Sequence, residues 1–184
     1  MKIALIGDYH ATYDSFKKNA NIKNWGCSGL PIWDIELKIK FEEIILGDFQ
    51  RIYFSCSHPF TGCEKVKDIV DLSNNNFFEF TQKQRGFFGQ KKHEKISKEQ
   101  AEKLYSKYIE YLIFFVSMDS RITLLPIVII WHEKIRKTKG MPPIYNDLKR
   151  LPMLDIKPLL ARFDFVDKFG RLHPEAVNKI IALL

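Results

Sequence analysis

Four short runs of the chain hold the residue types that acyl chemistry uses. They are Gly7-Asp8-Tyr9-His10-Ala11, Asn24-Trp25-Gly26-Cys27-Ser28-Gly29, Ser55-Cys56-Ser57-His58-Pro59, and the stretch from Asp164 to Pro174 with Asp167 and His173. Such chemistry needs a hydroxyl or thiol nucleophile, donors that hold an oxyanion, and an imidazole base. A Ser or Cys in the first run would complete that set, and the chain has Tyr9 there. A phenol titrates near pH 10 (about three units above neutrality), so Tyr9 is a poor nucleophile unless strongly activated.

His173 suits the base. It stands just before a predicted helix, whose positive end disfavours the imidazolium and leaves a neutral ring to accept a proton. The plain alternative is a capping or surface histidine. His10 follows Tyr9 directly and could hydrogen-bond a substrate, or simply face solvent in a first helical turn. Asp8 is expected to organise the turn after the first strand by accepting backbone N–H bonds. Cys56, His58 and Cys63 lie close together, but C-x-H and C-x6-C are not metal spacings, so neither a metal nor another cofactor is expected. With three cysteines and no C-x-x-C pair, free thiols are expected rather than a disulfide framework.

The elements that must position these residues alternate between strand and helix. Lys2 to Ile6 is a short apolar run closed by Gly7-Asp8 and reads as a buried first strand. The pattern predicts a helix from about His10 to Asn19, a second strand at Ile22 to Trp25, and a helix from Pro31 to Glu43. Arg51 to Ser55 has the aromatic and β-branched character of a central strand, ended by Ser57-His58-Pro59. Ser97 and Gln100 have capping-box spacing, and Leu104, Tyr105, Tyr108, Ile109, Leu112, Phe115 and Val116 recur at helical intervals. Ile122 to Ile130 reads as a buried strand, with Pro126 placing it at an edge or a bulge. Leu154 to Ile156 is a candidate last strand. Pro174 then opens a helix whose apolar stripe is Ala176, Val177, Ile180, Ile181 and Leu184.

That alternation predicts an α/β fold, a mostly parallel sheet of about five strands with helices on both faces and sites beyond the carboxyl ends of the strands. At 184 residues one domain is expected. Its weakest pattern is an irregular basic excursion at about residues 74–97, part of a basic run from Lys83 to Lys103 in which Arg85, Lys91, Lys92, Lys95 and Lys98 cluster near Phe87 and Phe88.

The formal charge of +7 is a moderate excess, and the basic run could attract phosphate or an anionic glycan, or be no more than a solvated loop. No recognised nucleic-acid motif accompanies it. G-x-G-x-x-G and G-x-x-x-x-G-K-[ST] runs are absent, which argues against a nucleotide-binding doubly wound domain. No stretch reaches the roughly 20 apolar residues that span a bilayer, and the opening apolar segment is too short for a secretion signal, so a cytoplasmic location is expected. Oligomeric state is not readable from these features.

In order and placement the runs resemble the SGNH (GDSL-type) hydrolase superfamily. Lys2-Ile3-Ala4-Leu5-Ile6-Gly7-Asp8 is similar to its first block, G-D-S after the first strand; Asn24-x-Gly26-x-Ser28-Gly29 is similar to the second; and Gly170-Arg171-Leu172-His173-Pro174-Glu175-Ala176 is similar to the last. The resemblance spans almost the whole chain and implies a three-layer flavodoxin-like fold. It also implies a site in which His173 is the base, Asp167 or Asp164 its carboxylate partner, and the backbone N–H groups of Tyr9 and Gly29 the oxyanion donors. Three departures stand out. Tyr9 replaces the nucleophilic Ser; Ser55-Cys56-Ser57 occupies the place of the Gly-x-Asn block, leaving Ser57 as a partial substitute donor; and Gly170 stands where the acidic partner usually lies. The resemblance thus implies an ester hydrolase or O-acyl (acetyl) transferase acting on a carbohydrate, with the nucleophile altered or lost. The alternative is a catalytically inactive protein on the same scaffold, binding a glycan or an anionic partner.

Overall fold

The structure is a computed structural model that describes residues 1–8, 11, 13–27, 29–57, 59, 97–127, 129–130, 145–162 and 172–184. Its elements run β1 (Ile3–Gly7), α1 (Asp14–Lys17), β2 (Ile22–Gly26), α2 (Ile35–Ile45), β3 (Arg51–Ser55), α3 (Lys98–Met118), β4 (Ile122–Leu124), α4 (Tyr145–Leu148), α5 (Lys157–Arg162) and α6 (Pro174–Ile181). The four strands form one parallel sheet in the order β2-β1-β3-β4. The α/β expectation and the parallel sheet are therefore observed. A further extended contact lies beyond β4, where Met153 makes an isolated parallel bridge to Leu124.

β1 is central and buried along its whole length, as an apolar run flanked by parallel neighbours requires. β3 alternates its partners across the sheet. Phe54 packs edge-on against Phe41 of α2 at 5.0 Å and against Phe115 of α3 at 5.5 Å, and those two rings stack at 4.6 Å. Tyr53 points to the opposite face, where its hydroxyl donates to the Leu184 carbonyl at 3.2 Å. The carboxyl end of α6 is thus tied to the middle of β3. Its amino end is tied elsewhere: the Leu172 N–H donates to the Tyr13 hydroxyl at 2.7 Å, just before α1. α6 therefore runs from the β1–α1 connection to the middle of β3, with His173 next to the Leu172–Tyr13 bond.

Three elements differ from the expectation, each for a local reason. The first helix occupies only Asp14–Lys17, because the Ala11 N–H closes a turn onto the Asp8 carbonyl (3.0 Å) and the Ala11 carbonyl accepts from the Asn24 side chain. The second starts at Ile35, not Pro31; the Asp34 carboxylate accepts the Glu36 N–H at 2.9 Å and sets the start as an N-cap. The run Ile122 to Ile130 is a strand only to Leu124, and residues 127, 129 and 130 are helical, with the Ile130 N–H donating to the Pro126 carbonyl at 3.1 Å. Proline lacks an N–H and suits a first helical turn, and an all-apolar run does not itself distinguish buried strand from buried helix.

The Ser97–Gln100 capping box is present in both directions, and α3 buries Leu104, Tyr108, Ile109, Leu112 and Phe115 as its periodicity demands. The basic excursion lies outside the described residues, apart from Ser97 at its end. No helix among the described residues is long and apolar enough to cross a membrane.

Candidate functional site

The carboxyl edge of the sheet begins at Gly7. Its φ of 137° lies in the region that favours glycine, and a Cβ there would meet the Ser55 carbonyl oxygen at 2.1 Å. Glycine lets β1 and β3 approach closely as they end. The Asp8 N–H then donates to that same Ser55 carbonyl at 3.1 Å, which carries the pairing one residue past the strand.

Asp8 is buried, and its carboxylate accepts from the Ser55 hydroxyl at 2.9 Å. One donor to the Asp8 side chain is thus a hydroxyl of the neighbouring strand. A serine hydroxyl has one proton, and Ser55 commits it to Asp8. Ser55 is therefore no oxyanion donor, which leaves the buried Ser57 as the hydroxyl of that segment.

Behind these residues, the buried Tyr108 hydroxyl donates to the Ser57 carbonyl and fixes the path of the chain leaving β3. Cys56 is fully buried, and burial, then the nearby Asp8 charge, push its thiol up to about 12. A thiol so protonated at neutral pH is not a nucleophile. Burial also raises the Tyr108 phenol well above its ordinary range, so it remains a hydrogen-bond donor. Cys27 and Cys56 are both free thiols.

The second run meets the first across the sheet. The Cys27 N–H donates to the Gly7 carbonyl at 2.8 Å, and the Gly26 N–H to the Asn24 side-chain oxygen at 2.6 Å. A Cβ on Gly26 would lie 2.8 Å from the Ala11 carbonyl carbon, so glycine is needed where the β1–α1 connection presses on β2. Gly29 adopts a φ of 74°, again favouring glycine. His173 is the N-cap residue of α6; its carbonyl accepts the Val177 N–H at 3.2 Å while its side chain makes no capping bond and is exposed.

Asp8, Gly29, Ser57 and His173 thus follow β1, β2 and β3 or precede α6, and Asp8 and Ser57 are both buried. Tyr9, His10, Asp167 and the alternative Asp164 lie outside the described residues. Three residues with a part in this edge escaped the sequence reading. In the sequence Ser55 reads as the end of a central strand, Tyr108 as one member of an apolar stripe, and Tyr13 as an ordinary position in the first helix. A tyrosine on a fully buried helical stripe is itself a signal, since its hydroxyl must find a partner. Among the described residues no group of three or more His, Cys, Asp and Glu side chains is arranged to hold a metal ion. No protein-family model matches the chain, and neither the curated proteins nor the solved structures contain a match to it.

Proposed function

We propose that the chain is a divergent SGNH-type ester hydrolase or O-acyl (acetyl) transferase acting on a carbohydrate, with an altered nucleophile and without a cofactor. The observation that carries this reading is the bond from the Leu172 N–H to the Tyr13 hydroxyl (2.7 Å), which ties the residue before His173 to the segment leaving β1. It supports a site assembled from both ends of the chain. In this reading the strand order β2-β1-β3-β4 continues into a fifth strand at the Met153 bridge, giving a single three-layer flavodoxin-like domain in the cytoplasm.

His173, paired with Asp167 or Asp164, takes the proton of an attacking hydroxyl or water, because the Tyr9 phenol is too weak an acid to form an acyl-enzyme readily. The backbone N–H groups of Tyr9 and Gly29 receive the developing oxyanion, with Ser57 as a supplementary donor and Asp8 holding the turn; His10 contacts the substrate. The second reading is an inactive binding protein on the same scaffold, and the presence of Tyr9 where a serine is required favours it.

Restoring the serine separates the two. Tyr9→Ser is expected to hydrolyse p-nitrophenyl acetate, and His173→Ala in that background to lower the rate by about 10²–10⁴-fold, as loss of a general base does. A folded Tyr9→Ser protein with no turnover above the His173→Ala background removes the hydrolase reading and leaves the binding one. That reading is then examined on a glycan array with and without neutralisation of Lys91 and Lys92.

A further inference from the structure

Asn24 lies on β2, yet its side chain serves the connection between β1 and α1. Its amide nitrogen donates to the Ala11 carbonyl, and its amide oxygen accepts the Gly26 N–H at 2.6 Å. A side-chain amide does both at once, without a charge, from two separate atoms. The surrounding contacts converge on the same connection. Asp8 binds the Ser55 carbonyl (3.1 Å) through its N–H, Ala11 N–H reaches the Asp8 carbonyl (3.0 Å), and Tyr13 accepts from Leu172 (2.7 Å). Gly26 leaves no room for a side chain against Ala11. Among the described residues of the connection, these hold Asp8 and Tyr13, and the Asn24 side chain fastens Ala11 to β2.

We propose that Asn24 is a positioning residue: by clamping the Ala11 carbonyl against the end of β2 it sets the β1–α1 connection in the geometry that turnover requires. The inference deepens the hydrolase reading and rests on it for its kinetic consequence. A connection that is held in advance spares the reaction the ordering of a loop, so its release lowers kcat with little change in ground-state binding.

Asn24→Asp tests this with minimal change of shape. The carboxylate keeps an acceptor for the Gly26 N–H but loses both amide hydrogens and turns a negative charge on the Ala11 carbonyl. In the Tyr9→Ser background, with p-nitrophenyl acetate as the probe and at a temperature where urea and thermal unfolding show both proteins fully folded, kcat is expected to fall at least about 10-fold with KM within about twofold; the fully folded condition excludes a smaller active fraction as the cause. An unchanged kcat overturns the proposal, as does a loss confined to KM. Should Tyr9→Ser with Asn24 intact show no turnover, the hydrolase reading fails separately, and amide exchange in otherwise wild-type protein decides the clamp. Faster exchange in Asn24→Asp confined to the peptide covering residues 8–13, with an unchanged melting temperature, supports it, and unchanged exchange there rejects it. Asn24→Ser provides a milder variant. If neither variant folds, Asn24 is a stability residue and the proposal falls.

Discussion

Among the described residues, Arg121 makes a dense set of polar contacts outside the candidate site. Its guanidinium donates to both oxygens of Asp119, at 2.9 and 2.7 Å, and to the carbonyls of Ile45 (2.7 Å), Phe49 (2.8 Å) and Gly47 (3.2 Å). It thereby satisfies the Ile45 carbonyl that α2 leaves open at its end and two carbonyls of the α2–β3 loop, and joins them to the turn entering β4. A planar fork of donors can do this and a lysine ammonium cannot. Arg121→Ala is expected to cost about 2 kcal/mol, the contacts being partly solvent-screened, and Arg121→Lys to recover less than half of that, by urea denaturation. The pair also predicts a pH dependence. Hydrogen bonding from Arg121 holds the Asp119 carboxyl below its usual range. A depressed native pKa gives stability that is present in full above the unfolded value of about 3.9 and is lost as pH falls through the lowered native value. The advantage of wild type over Asp119→Asn should therefore be full at neutral pH, begin to shrink only once pH falls below the unfolded value of about 3.9, and be smaller at about pH 3 than at neutral pH. An advantage that is the same at both pH values would contradict this assignment.

At the scale of elements, α3 has the most explicit start. The Ser97 hydroxyl accepts the Gln100 N–H at 3.1 Å, and the Gln100 side chain accepts the Ser97 N–H at 2.8 Å. Each bond satisfies a backbone donor that the helix cannot use internally. Ser97→Ala is expected to destabilise the protein by about 1 kcal/mol and Ser97→Gly by only a few tenths, measured by thermal or urea unfolding. Equal costs for the two substitutions would show that something other than the cap holds this end. Capping, apolar period and the Pro174 start of α6 are local properties, so they were legible before any contact was known. The extents of α1 and β4 were not. Whether the stretch after Asp8 continues as helix depends on Asn24 taking the Ala11 carbonyl, 13 residues away in sequence. Whether 125 to 130 is strand or helix depends on where the sheet ends, which no local pattern encodes.

For the whole molecule, α6 joins the β1–α1 connection to the middle of β3. It is held by Tyr13 at one end and Tyr53 at the other, and it buries Val177, Ile180 and Leu184 with the adjacent Leu172. Burying four such side chains contributes about 8 kcal/mol at about 2 kcal/mol each, which is comparable to the whole stability of a domain this size. Deleting residues 172–184 is therefore expected to abolish the cooperative urea transition and the near-ultraviolet dichroism. A truncated chain that still unfolds cooperatively would mean that the sheet stands without this helix. From the sequence alone came the α/β class, the strand cores at Ile3, Ile22 and Arg51, the capped α3 and the amphipathic α6, because each follows from local period, branching and end chemistry. The placement of Gly7, Gly26 and Gly29 at strand ends was also visible there. Tertiary structure alone decided that Asp8 spends its carboxylate on Ser55, that Tyr108 and Tyr13 are tethers, and that Asn24 belongs to the β1–α1 connection. Those pairings join residues up to 159 positions apart, and a hydrogen bond between distant groups exists only once the sheet has fixed their separation and excluded water.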